Sequence, residues 1–93
     1  MKEKTATPPV ITYSTANLDV AAYLLAGGFS ILSAEPADGP KVSFTFADPK
    51  GRAEEACLNF YRGASVSARA FADAQRQIRD LMWEAKRREK GRP

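Results

Sequence analysis

Histidine is absent from this 93-residue chain, and cysteine occurs once, at Cys57. Without histidine there is no Ser-His-Asp triad, no Cys–His pair and no histidine-containing metal site. A lone cysteine rules out an intramolecular disulfide. Long apolar runs are also missing, and nothing approaches the roughly 20 residues of a membrane span. The opening residues, Met1 to Pro9, are polar and lack the apolar core of a signal peptide, so the expectation is a cytoplasmic protein.

Clustered carboxylates are scarce too. Glu54 and Glu55 are adjacent, and on a helix they point about 100° apart, so they do not form an acid–base pair. The spacing of Asp and Glu matches no calcium loop. No strand runs through a glycine-rich turn into a helix N-terminus, which removes a phosphate loop. The expectation is therefore no catalytic residue, no cofactor and no metal.

What is present is ordinary globular composition, 44% hydrophobic and 27% charged, enough for one modest core. The net charge of +3 is unevenly spread. Residues 1–49 hold three Lys or Arg against five Asp or Glu, and residues 50–93 hold eleven against six. A basic C-terminal half suits an acidic partner.

The most strongly patterned stretch runs from Ser67 to about Lys90. Ser67 is an N-cap residue, and Phe71, Ala74, Ile78, Leu81, Met82 and Ala85 recur at spacings of three and four, predicting one long amphipathic helix. Off its apolar arc, Arg69, Arg76, Arg79, Lys86, Arg87 and Lys90 gather on one flank with Trp83 among them. Asp73, Asp80 and Glu84 form a neighbouring strip, with Arg76–Asp80 and Glu84–Arg88 as expected local pairs.

Upstream, residues 1–9 read as a flexible leader, residues 10–90 as a single domain and residues 91–93 as a tail. Val10 to Ser14 predicts a first strand. Asn17 caps a helix reaching Ala26, with Leu18, Ala21, Ala22 and Leu25 on one apolar face, widened by Val20 and Leu24. Gly27-Gly28 ends it, and Phe29 is placed to fold back over its last turn. Strands follow over Phe29 to Ala34 and Lys41 to Ala47, joined by a hairpin loop through Pro36, Asp38, Gly39 and Pro40. Asp48-Pro49 is expected to open the next helix as N-cap and first residue, with Ala53, Ala56, Cys57 and Phe60 inward and Gly63 as the stop. The fold class expected is α+β: two layers, a three-stranded sheet covered by three helices, in the order β-α-β-β-α-α.

Several of these residues together resemble a known family. Tyr13-Ser14-Thr15, Leu18, Ala21-Ala22-Tyr23-Leu24-Leu25, Gly28-Phe29, Val42-Ser43-Phe44-Thr45-Phe46, Asn59-Phe60-Tyr61 and the Phe71-to-Leu81 helix resemble a small bacterial and phage-associated domain family of unknown function. The likeness covers about Val10 to Met82, with Asn17 where that family's pattern has Asp. These are core, cap and turn positions, so the resemblance implies a fold and assigns no chemistry.

Two functions compete. The first is a non-enzymatic accessory module acting through protein interaction, as a homodimer or docked on a larger partner. An exposed tryptophan among arginines is the usual composition of an interface hot spot. The alternative is nucleic-acid binding through the basic flank and Trp83, with Lys41 and a nearby Tyr13 or Tyr61 adding a strand-face platform. Both name one candidate surface: Arg69, Arg76, Arg79, Trp83, Lys86, Arg87 and Lys90.

Overall fold

The computed structural model describes residues 11–90. The leader, Val10, the tail and the side chains of Glu89 and Lys90 lie outside the described residues. Within them the order is β1 (Thr12–Thr15), α1 (Leu18–Ala26), β2 (Ile31–Pro36), β3 (Val42–Ala47), α2 (Ala53–Tyr61) and α3 (Ala68–Lys90).

β3 is the central strand and pairs antiparallel with both neighbours, in the order β1-β3-β2. β1 and β2 therefore run in the same direction with β3 between them, and α1 is the crossover that makes this possible. The alternation of β3 decides what lies on each face. Val42, Phe44 and Phe46 are buried beneath the helices. Tyr13 and Ile31 stand opposite Phe46, and Thr15 and Ala34 opposite Phe44. The other face is open and lined by small hydroxyls: Ser14 and Ser33 flank Thr45, and the Ser14 and Thr45 hydroxyls are 2.8 Å apart. Ser43 and Thr45 are on this open face as expected, whereas Lys41 precedes the strand, exposed in the hairpin loop.

Asn17 caps α1 with its side-chain oxygen, which accepts from the Asp19 and Val20 amides. At the other end Gly28, at φ 101°, holds the left-handed position of a Schellman turn, closed by Phe29 N–H to Leu24 C=O at 3.0 Å. That turn consumes Phe29 and Ser30, which is why β2 begins at Ile31 rather than at Phe29. The buried face of α1 is Val20, Ala21, Ala22 and Leu24, while Leu18 stays largely exposed. The residues expected only to widen the face are at its centre, because α1 is wedged between the sheet below and α3 alongside.

The start of α2 also differs from expectation. Pro49 is not its first residue; the chain makes a turn through Lys50 and Gly51, and the helix begins at Ala53. Asp48 still supplies the cap from a distance. Its buried carboxylate accepts from the Arg52 amide at 2.7 Å and the Ala53 amide at 3.1 Å. A negative group at a helix N-terminus satisfies orphan donors and suits the helix dipole. Ala53 and Cys57 are buried and Ala56 and Phe60 partly so, as the inward stripe predicts. The helix stops at a second Schellman turn with Gly63 at φ 86° and Ala64 N–H to Asn59 C=O.

The core is one cluster, and its largest fully buried side chains are Phe44, Phe46, Leu24 and Ile78.

Candidate interaction surface on α3

Ser67 caps α3, its hydroxyl accepting from the Ala70 amide at 3.3 Å. From there the apolar arc faces inward as its spacing requires. Ala74, Ile78 and Ala85 are buried, and Phe71, Leu81 and Met82 pack partly against the core. Because successive residues step by about 100°, this docking of one arc on α1 and β2 dictates what the opposite arc presents to solvent.

Trp83 is on that outward arc and is 52% exposed. The Lys86 ammonium lies over its ring, 5.3 Å from the centroid, a cation–π contact that also covers part of the indole. Arg69, Arg79 and Arg87 are exposed on the same flank. Arg76 is exposed as well, but its guanidinium pairs with Asp73 at 3.0 Å, three residues back, instead of with Asp80. Both partners are well solvated, so this pair contributes little to stability. Lys90 belongs to the helix, and its side chain is outside the described residues.

Arg88 has a different role from the one its spacing suggests. It does not turn back to Glu84; its guanidinium donates to the Ala34 carbonyl of β2 at 2.7 Å. This charge-assisted bond pins the last turns of α3 to the sheet. Residue spacing within a helix carries no signal of such a contact, because the acceptor is 54 positions away.

The strand-face platform does not form. Tyr13 is on the helix-covered face opposite Phe46, Tyr61 is on α2 and Lys41 is in the hairpin loop, so none of the three stands on the open sheet face. That face holds no aromatic side chain among the described residues.

Tyr13 instead meets Cys57: the phenol oxygen and the thiol sulfur are 3.1 Å apart, and the neutral phenol shares its proton with the sulfur in that contact. That hydrogen bond, burial, and the charges of Cys57, Glu54 and Tyr61 nearby all oppose a phenolate, and they push Tyr13 up to about 12 from 10.0. The sign of the consequence is fixed. Between these two values the unfolded chain releases the phenol proton and the folded chain keeps it, so stability falls as pH rises through that window. Urea unfolding across alkaline pH should show this loss, and Tyr13→Phe should flatten the slope; an unchanged slope in Tyr13→Phe would assign the alkaline loss to other groups.

A concavity of about 540 Å³ lies between Gly27–Ser30 and Ala47–Arg52. Lys50 and Arg52 are at its rim, while the Asp48 carboxylate within it is already engaged in capping α2. No buried side-chain nitrogen or oxygen is left unpaired among the described residues. No group of three or more metal-ligating side chains occurs among the described residues, and no helix there is long and apolar enough to cross a membrane.

Comparison with known proteins finds no matching curated protein and no matching solved structure. A family model does match, over residues 11–84, and its description is a domain of unknown function, DUF5659. The match covers β1 to α2 whole and α3 as far as Glu84. On that coverage, the chain belongs to the DUF5659 family.

Proposed function

We propose that this domain is a small non-enzymatic accessory module that docks on a partner protein through the outward face of α3, centred on Trp83. The observation that carries this reading is the half-exposed indole, held by Lys86 and flanked by Arg79 and Arg87, on a helix whose other large apolar side chains are packed. Tryptophan and arginine dominate the energetics of protein interfaces because each buries a large area while keeping a polar or charged handle. The whole flank, Arg69, Arg76, Arg79, Trp83, Lys86, Arg87 and Lys90, is the candidate surface, and its charge favours an acidic partner. The lack of an aromatic platform on the sheet favours a protein over a single-stranded nucleic acid. The same proposal places the module in the cytoplasm.

Trp83→Ala is expected to leave the unfolding midpoint within experimental error, since surface substitutions typically stay within about 0.5 kcal/mol. The same substitution should abolish retention of a protein partner on the immobilised domain, at both low and high salt. Because Trp83 is the single tryptophan, its fluorescence reports directly on the surface. Quenching by a mixed-sequence single-stranded oligonucleotide that disappears steeply with salt would replace the protein reading with a phosphate-binding one. A large loss of thermal stability in Trp83→Ala would show that the indole is structural and remove the basis of the proposal.

A further inference from the structure

The two edges of the sheet are not alike. β2 carries an irregularity between Ile31 and Ser33, which leaves Leu32 as an extra residue and breaks regular pairing along that edge. β1 pairs residue for residue with β3 from Thr12 to Thr15, and the Asp48 amide donates to the Ile11 carbonyl, carrying the ladder one residue further. No other strand covers the far side of β1 among the described residues. An unpaired, regular edge is a template for another strand.

In the helical layer, α2 stands above this edge. Its start is tied to Asp48, at the Ile11 end of β1, and Tyr61 at its finish meets the Asn17 amide at 3.4 Å, beyond the other end. The Cys57–Tyr13 contact sets mid-helix level with mid-strand. Phe60 turns toward α1, with its ring 5.3 Å from that of Tyr23. Stepping about 100° per residue, Glu54, Leu58 and Tyr61 then fall on the arc away from α1, over the open edge. Leu58 is 50% and Tyr61 67% exposed, and Ile11 at the strand's start is 52% exposed. The edge therefore has an apolar strip running beside it.

We propose that this edge is occupied by a second copy of the chain. The two β1 strands pair antiparallel about a two-fold axis normal to the sheet, and the two α2 helices pack antiparallel across the same axis. One axis serves both layers because mid-strand and mid-helix are level. With Leu58 on the axis, it meets Leu58 of the partner subunit, and Glu54 stands opposite Arg62 of the partner subunit. The helix is self-complementary in this sense, acidic at its first turn, apolar at its centre and basic just past its end. Such an isologous contact closes on itself and joins the sheets into six strands. α3 packs toward β2, at the far side of the sheet, so both Trp83 faces stay outward on the dimer. The inference does not rest on what α3 binds; if α3 docks a partner, the dimer presents that surface twice.

Sedimentation velocity on the full chain, over a range of concentrations, tests this. The wild type should dimerise, and Leu58→Arg should weaken the dimer by at least about tenfold, with circular dichroism unchanged because Leu58 is exposed. Glu54→Arg and Arg62→Glu should each weaken it, and the double variant should recover most of the loss by restoring opposite charges across the axis. Trp83→Ala should leave the dimer intact, which separates this surface from the one on α3. A wild type that remains monomeric to about 1 mM, a dimer indifferent to Leu58→Arg and the charge swap, or one that requires Trp83 would each overturn the proposal.

Discussion

Phe44→Ala is expected to destabilise the domain by about 3–5 kcal/mol, the largest effect of any single truncation in the sheet. Phe44 is fully buried on the central strand, between Thr15 of β1 and Ala34 of β2. Both edge strands and the helices above lose contacts when the ring is removed, and a close-packed interior relaxes only partly into the space. Domains of this size are stable by about 5–15 kcal/mol in total, so the variant should be partly unfolded at modest urea. Chemical denaturation with wild type as reference measures it. A loss below about 1 kcal/mol, the scale of a substitution without cavity formation, would mean that the strand presents its other face to the helices.

Ile78→Ala is the second, with an expected cost of about 2–5 kcal/mol. Ile78 is 1% exposed and is the largest fully buried side chain contributed by α3. Its removal loosens the seam between α3 and α1, with the Arg88–Ala34 bond at the far end as a separate tether. Phe71 is on the same arc but only partly buried, so Phe71→Ala should fall in the lower part of that range although its side chain is larger. Denaturation of the two variants in parallel decides the point. Near-wild-type unfolding of Ile78→Ala would mean that α3 is rotated from the position described.

Most of the architecture was readable from local patterns. Strict alternation in Val42–Ala47 and the three-four spacing of Phe71 to Ala85 each predict one element with one buried face, and both faces are buried as predicted. Glycine chemistry was equally legible: Gly28 and Gly63 hold the positive φ values that end α1 and α2. The errors lie at boundaries, where two local signals compete. Phe29 reads as a strand residue by propensity, yet the Schellman turn claims it. Asp48-Pro49 reads as a helix start, yet Gly51 lets the chain turn first while the Asp48 carboxylate reaches forward to cap the helix that begins at Ala53.

The candidate surface divides in the same way. Periodicity alone placed Trp83 off the apolar arc of α3 together with the arginines and lysines, because helical geometry determines which residues share a face before anything packs. What periodicity does not contain is the set of neighbours. The exposure of Trp83, the Lys86 ammonium over its ring and the choice of Asp73 by Arg76 follow from rotamers free on the folded surface. The Arg88–Ala34 bond, the Tyr13–Cys57 contact and the burial of Val20 and Leu24 exist only because α3, α2 and α1 settle on one sheet. Local sequence determined the elements and their faces, since those depend on residues within a few positions of one another. The tertiary structure decided which strands form the sheet edges among the described residues and what stands beside them, since strand order and helix placement depend on contacts between residues tens of positions apart.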